Sequence, residues 1–514
     1  MLNKIKYHSV PVLFLFAVSW VFSLSMLFFP YSTETFGHDA GIFAYIGYAI
    51  TQGKPIYIGA WDNKGPLLYL IDALGIAINY RCGIYILELL SLFVTLLFIY
   101  KCALHFVPRY VAAIDAALVA MPLTITMEGG NLSEEWALPF TTIALYLIVK
   151  FFLNDYRLKK YEMMIVGACI AAIVLLRLNI ITFIAVAVLG VIIKLIKEKQ
   201  VPTLLNVALF AFIGFLIFVS PIAIYLIATG SLSACLDAAY LGAVGAFTKL
   251  ETMDVIYNIT TMILNLRDSG ALIIIVLFVA LLPFCLYKTK GKKDSFKTVL
   301  LICYFGVFAT IAANSISGAP YMHYFTSLVP VIIIPVIWFS KNIYSFLCEN
   351  RAKSFASTAV IAALALAISV NSIVVLRNNI FSNLRDSADN YLNSQYIKIA
   401  EYVKANSSPD DTVMLIGDGT AATSYYRAKR IAASNRFYYA NGQFTEESKR
   451  QFANEIFEDL KQNYPAIILF TNSDRMQDFV QHLDNPDDFN KFLDTNYVID
   501  ENDFSNITYL YVGE

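Results

Sequence analysis

The chain is poor in charge. Only 15% of its 514 residues are Asp, Glu, Lys or Arg, against about a quarter in an average soluble domain. The two signs nearly cancel, with a formal net charge of −1, so nothing points to nucleic acid as a partner. The phosphate-cradling GxxxxGK[ST] loop, the GxGxxG turn and any zinc-ligand spacing of Cys and His are all missing. Without a phosphate loop, an ATP-driven pump is a poor reading. Seven cysteines are present, no two as CxxC and none after Cys348, which excludes a disulfide-stapled C-terminal region. The first apolar run also lacks a small-residue cleavage site in its flank Met26–Tyr31, so it reads as a signal anchor.

What the sequence has instead is apolar length. Hydrophobic residues make up 58% of it and aromatics 14%. About 20 apolar residues cross the roughly 30 Å hydrocarbon layer as a helix. Runs near 9–29, 83–100, 110–126, 137–153, 163–177, 179–196, 204–228, 270–287, 298–313, 324–340 and 355–376 predict eleven crossings. The stretch 163–196 is too long for one span, and Arg177-Leu178-Asn179 breaks it; a lone arginine in hydrocarbon costs several kcal/mol unless it reaches water or a partner. With the N-terminus in the cytoplasm, the cytoplasmic segments hold 19 Lys and Arg residues and the outer loops 6, as the positive-inside rule requires. An unsplit 163–196 would invert every later loop. Eleven crossings place residues 377–514 outside.

That tail differs from what precedes it. Leu384–Ala405 reads as a helix, and Thr412–Ile416, Ala466–Phe470 and Ile507–Val512 as strands. Helices between strands predict a small α/β layer. The expected organisation is a transmembrane domain over 1–376, with a long outer loop at 31–82, and an extracytoplasmic α/β domain over 377–514. Gly417-Asp418-Gly419 after the first strand reads as a plain turn.

Four outer segments carry polar residues at helix mouths, and Arg177 joins them on the same side. His38-Asp39 precedes Ile42, Phe43, Ile46, Ala49 and Ile50, an apolar stripe fitting a helix in the membrane interface. Asp39 reads either as an N-cap or as a general base whose charge the helix end favours. In Asp62-Asn63-Lys64-Gly65-Pro66, the Gly-Pro pair marks a turn. Lys64 there reads as a phosphate-binding point charge or as a snorkelling lysine paired with Asp62. Ser133-Glu134-Glu135 opens the fourth span, with Ser133 placed to cap and acids to offset the helix dipole. His323-Tyr324 opens the tenth and reads as a site pair or as interface aromatics.

At these residues the sequence resembles the GT-C glycosyltransferases, membrane enzymes that use lipid-phosphate-linked sugars. The similarity is greatest to the bacterial branch that includes protein mannosyltransferases and the lipid A aminoarabinose transferase. The matching pieces are His38-Asp39, Asp62 to Pro66, Ser133-Glu134-Glu135, Leu176 to Asn179 and His323-Tyr324. The resemblance implies a polytopic helical fold and a polyprenyl-phosphate-sugar donor. It implies an extracytoplasmic acceptor (envelope glycan, lipid or protein) and a location in the cell membrane. It makes Asp39 the catalytic base, gives Lys64 and Arg177 the donor phosphate, and leaves His38, Asp62, Glu134, Glu135, His323 and Tyr324 as substrate or metal contacts. Some members of the family use a divalent metal ion and others do not; no motif calls for an organic cofactor. The lysine motif reads Lys-Gly-Pro where the family pattern is Lys-Pro-Pro. No second acid stands beside Asp39, unlike the Asp-Glu pair of protein mannosyltransferases.

The competing class is a lipid or solute transporter or flippase. Transporters place binding groups near the bilayer midplane, often in repeated halves. Here Glu88 and Asp115 are the main acids inside expected spans, and no internal repeat is present.

Overall fold

The structure is a computed structural model. It describes residues 2–30, 37–241, 252–288, 295–316, 321–350, 353–385, 395–439, 444–500 and 507–512. The first residues of the expected outer loop 31–82, part of the loop 229–269, and residues 386–394 of the helix expected over Leu384–Ala405 lie outside the described residues. The chain forms two compact units, each assembled from separated segments. One comprises Met1–Ser25, Ile86–Ile222 and Leu250–Phe381; the other comprises Met26–Tyr85, Ala223–Lys249 and Ser382–Glu514.

The first unit is helical. Across the described residues of the whole chain, eight helices are long and apolar enough to cross a membrane, and nine if Met253–Asp268 and Ala271–Tyr287, bent by 103° at their junction, count as one. The protein is a multi-pass membrane protein. The two other expected crossings fall on shorter helices, the apolar His8–Ser23 and the 17-residue Lys160–Leu176. The break at Arg177 is real in the fold. The helix Lys160–Leu176 ends there, Arg177 is extended at φ −168°, and a 3-10 turn, Leu178–Ile181, leads into the helix Thr182–Lys197.

Close helix contact in this unit rests on small residues, which let backbones approach in a membrane. A Cβ on Gly167 would lie 1.7 Å from the carbonyl oxygen of Ala211, and one on Gly214 would lie 1.9 Å from that of Met164. Lys160–Leu176 and Val201–Ala228 therefore cross backbone to backbone, with a glycine supplied by each.

In the second unit, five strands form one sheet in the order β2-β1-β3-β5-β4: β1 Thr412–Ile416, β2 Ile431–Ala432, β3 Ile467–Phe470, β4 Tyr497–Asp500 and β5 Ile507–Tyr511. β2, β1 and β3 run parallel; β5 is antiparallel to β3 and to β4. Val413 to Ile416 and Ile467 to Phe470 are fully buried, as continuous apolar runs in parallel central strands should be. The surrounding helices start on side-chain caps. Thr445, Asn472 and Asn485 accept from the backbone N–H groups of Ser448, Arg475 and Asp488.

The outer-loop helix His38–Thr51 departs from expectation. Its stripe does not face a membrane interface: every residue from Ala40 to Ala49 is buried within the protein. The cause is composition, since Tyr45, Tyr48 and the small residues make the helix apolar all round, and such a helix is buried. It packs against the helix Pro66–Ile78, where a Cβ on Gly47 would lie 2.6 Å from the Cβ of Asp72.

Candidate active site

Asp39 occupies the first turn of the His38–Thr51 helix, and the N-cap is Gly37, with no side-chain cap bond. The N-cap alternative for Asp39 is thereby removed; a carboxylate in the first turn is still favoured by the positive end of the helix dipole. His38 lies against the β1 turn, where a Cβ on Gly419 would lie 2.5 Å from His38 Cε1 and 2.6 Å from Nε2. In that turn Asp418 accepts from the N–H of Thr420, so the segment is a capped turn as read from sequence.

The motif Asp62 to Pro66 folds into a fixed corner. Pro66 takes the first position of its helix with Gly65 as N-cap, the place where proline's missing N–H costs nothing. Asp62 is 3% exposed. Its Oδ2 accepts from the Tyr69 hydroxyl at 2.7 Å and its Oδ1 from the Tyr438 hydroxyl at 3.2 Å. The Lys64 backbone is gripped at both ends: its N–H donates to Tyr69 Oη at 3.0 Å and its carbonyl accepts from Tyr57 Oη at 2.8 Å. Tyr57 holds this position from a left-handed backbone, φ 68°, uncommon for a bulky residue. The Lys64 ammonium donates to Asn63 Oδ1 at 2.9 Å and stands 5.9 Å over the Phe43 ring. Phe43 follows Asp39 by four residues on the same helix, so the two side chains share a helix face. Burial, followed by the charges of Asp62 and Asp39, pushes the Tyr438 phenol well above its ordinary range. The second unit thus brings His38, Asp39, Asp62 and Lys64 into one neighbourhood.

The first unit gathers the other candidates. Arg177 Nη1 pairs with Glu134 Oε1 at 2.6 Å, and the guanidinium lies 4.2 Å from the Tyr324 ring centroid. Ser133 does not cap: the N-cap is Leu132, and Ser133 Oγ donates to Glu134 Oε2 at 2.8 Å. The His323 ring lies edge-to-face with Tyr324, centroids 4.7 Å apart, and its Nδ1 meets Glu128 Oε2 at 2.5 Å. Four successive residues, Glu128, Gly129, Gly130 and Asn131, have positive φ. That loop is pinned from inside the unit. Asn131 N–H donates to Glu88 Oε1 at 2.6 Å, and a Cβ on Gly130 would lie 2.4 Å from that oxygen and 3.4 Å from Glu135 Oε2. Glu88 therefore shapes a loop. Asp115 likewise accepts from Ser340 Oγ at 2.6 Å. Both acids weighed for a transporter are engaged by the protein's own polar groups.

Sequence reasoning missed Tyr57, Tyr69, Tyr438 and Glu128. The three tyrosines are individually ordinary in a chain with 32 of them, and Tyr438 stands 376 residues from Asp62. Among the described residues no three His, Cys, Asp or Glu side chains form a group that could hold a metal ion.

Solved structures share this fold. ArnT from Cupriavidus metallidurans, bound to undecaprenyl phosphate, superposes with a TM-score of 0.61 at 12% identity, covering 98% of each chain. The oligosaccharyltransferase AglB from Archaeoglobus fulgidus, in complex with an inhibitory peptide and a dolichol-phosphate, gives 0.57 at 14% identity, covering 99% of this chain and 74% of that one. Both have the GT-C fold, and so does this protein. No curated protein matches the chain in sequence. A family description does match over residues 2–374, "Putative competence-induced protein Ccs4 N-terminal domain", and the chain belongs to that family.

Proposed function

We propose that the protein is a glycosyltransferase that moves a sugar from a polyprenyl-phosphate-linked donor to an extracytoplasmic acceptor by inverting single displacement. The observation that carries this reading is the placement of the Lys64 ammonium over Phe43, one helical turn from Asp39, in a chain with the GT-C fold. The carrier-lipid class is supported by the two solved structures, one holding undecaprenyl phosphate and the other a dolichol-phosphate.

The proposed step needs a base and a cation near each other. The acceptor hydroxyl oxygen attacks the anomeric carbon and forms the new C–O bond. Its proton passes to the Asp39 carboxylate, and the bond from the anomeric carbon to the phosphate oxygen breaks with its electron pair. Negative charge grows on the departing polyprenyl phosphate, and Lys64 opposes it; such preorganised stabilisation is often the largest catalytic contribution. His38 and Asp62 frame this group. Arg177, oriented by Glu134 and Tyr324, is proposed to meet an anionic group of the substrate, with Glu135 and His323 as further contacts. No step is routed through a metal ion. The proposed setting is the cell membrane with the N-terminus in the cytoplasm, and the acceptor class is envelope glycan, lipid or protein.

The test is release of polyprenyl phosphate from a panel of polyprenyl-phosphate sugars by the purified protein. Asp39→Asn keeps the shape of the side chain and removes the proton acceptor. Loss of a general base typically costs about 10²- to 10⁴-fold in rate. A folded Asp39→Asn protein with near-full turnover would remove Asp39 from this role. Net movement of an intact lipid or solute by every variant, without sugar transfer, would establish the transporter class instead.

A further inference from the structure

The bend between Met253–Asp268 and Ala271–Tyr287 is held by specific contacts. Gly270 turns the chain with φ 75°, in the left-handed region that glycine enters freely, and a Cβ there would lie 2.6 Å from the Ile368 carbonyl oxygen. The helix Ser354–Arg385 satisfies carbonyls at the bend: Asn371 Nδ2 donates to that of Asp268 at 2.6 Å, and Ser372 Oγ to that of Ser269 at 3.3 Å. Arg267 Nε pairs with Asp268 Oδ1 at 2.9 Å, and these side chains are 63% and 45% exposed. An open charged pair belongs at the headgroup level, since charge at the bilayer centre is costly. Beyond the bend, the 18 residues of Ala271–Lys288 rise about 27 Å at 1.5 Å each. That is close to the hydrocarbon thickness of about 30 Å, so this helix can cross without Met253–Asp268.

Before the bend, Met253–Asp268 divides its surface into three arcs. Asn258, Met262 and Leu266, each four residues from the last, are buried. Asn258 Nδ2 donates to the Ser315 carbonyl at 3.1 Å, and Asn265 and Leu266 line a small cavity with Phe325 and Leu328. This arc lies against the protein, at the end of the bundle that carries His323 and Tyr324. Asp254, Thr261, Asn265 and Asp268 make a polar row beside it. The remaining arc is apolar and open: Met253, Ile256, Tyr257, Ile263 and Leu264 are all exposed, Met253 and Tyr257 by 70% and 64%. Ile273, Val276, Leu277 and Phe284 of the adjoining span are exposed as well, so open apolar surface continues on both sides of Gly270. A helix with one arc in protein, one polar and one apolar, set at 103° to a membrane span, fits the boundary between headgroups and acyl chains. We infer that Met253–Asp268 is an interfacial helix, seated by its open arc in the leaflet beside His323 and Tyr324. Its partner is the bilayer itself: acyl chains cover the apolar arc, and the polar row meets headgroups and water.

The full-length protein in phosphatidylcholine vesicles tests this. In Tyr257→Trp one exposed aromatic replaces another, and the difference from the parent protein separates the added emission from that of the four native tryptophans. Lipids brominated near the carbonyl end of the acyl chain hold the quencher at shallow depth; bromine near the methyl end holds it at the bilayer centre. An interfacial helix sinks about 5–10 Å into the headgroup–acyl boundary. The expected result is a large loss of the added emission with shallow bromine and a small loss with deep bromine. Phe305→Trp, an exposed position at the midpoint of the helix Ser295–Ser315, should show the opposite order. Equal or stronger quenching of Tyr257→Trp by deep bromine makes the helix part of a crossing and overturns the inference. Emission that neither lipid changes, while Phe305→Trp responds, means that water or another protein surface, a second copy of this chain included, covers the arc, and overturns it too. Neither result bears on Asp39, so this inference and the proposed transferase stand or fall separately.

Discussion

Lys64 is fixed by its backbone, and its side chain ends on Asn63 and an aromatic face. Tyr57 and Tyr69 hold its carbonyl and N–H, so truncation of the side chain leaves the corner intact. Lys64→Ala is therefore expected to fold normally and to lower kcat about 10²- to 10³-fold, the usual loss when one preorganised electrostatic contact is removed from a developing anion. Single-turnover release of polyprenyl phosphate checks this, and unchanged turnover would make Lys64 a snorkelling residue. At this scale the sequence was partly readable. Asp39 and Lys64 stand out because each lies beside a local signal, a helix start and a Gly-Pro turn. The tyrosines that surround Asp62 do not, because each is close to it only after folding; no local pattern distinguishes a phenol that will meet a buried carboxylate from one that will pack in a core.

Helix boundaries were the most legible feature, for a physical reason. Apolar length and an intruding charge are local properties, and the break at Arg177 follows from both. Caps were less legible. Asp39 and Ser133 have the right chemistry for an N-cap, yet Gly37 and Leu132 take those positions, because the backbone turn falls one or two residues earlier. The buried face of the His38–Thr51 helix was misread as an interface stripe, since a periodic pattern says which side is apolar and not what covers it. The crossing of Lys160–Leu176 with Val201–Ala228 yields an expectation at the same scale. A side chain on Gly214 meets a backbone carbonyl, which cannot swing aside as a side-chain end can. Gly214→Leu should destabilise the protein by about 1–3 kcal/mol or more, read as a lower melting temperature in detergent. Phe212→Leu, at a position 58% exposed, should leave it nearly unchanged. Equal behaviour of the two would mean that the helices do not meet at Gly214.

For the molecule as a whole, the decisive quantity is the parity of crossings. The basic-residue bias predicts an N-terminus in the cytoplasm, and an odd number of spans would then carry residues 377–514 to the other side. Nine or eleven crossings satisfy this, and eight do not. Protease added to intact spheroplasts is therefore expected to remove the region after residue 377 while the short basic loops survive. Protection of that region until the membrane is opened would invert the orientation, and with it the extracytoplasmic placement of Asp39 and Lys64.

The hydrogen bond between Asp62 and Tyr438 joins residues 376 apart, and this separation has a meaning in time. Synthesis proceeds at about 5–20 residues per second, so the second partner follows the first by roughly 20–75 s. Through that interval Asp62 is already part of the chain and the segment from Ile431 to Tyr439 has not yet been made. A chain stopped anywhere before it would carry Asp62 without the Tyr438 hydroxyl that donates to it. The order of synthesis thus acts as a timer: the hydrogen bonds around Asp62 are completed only after most of the chain has been made.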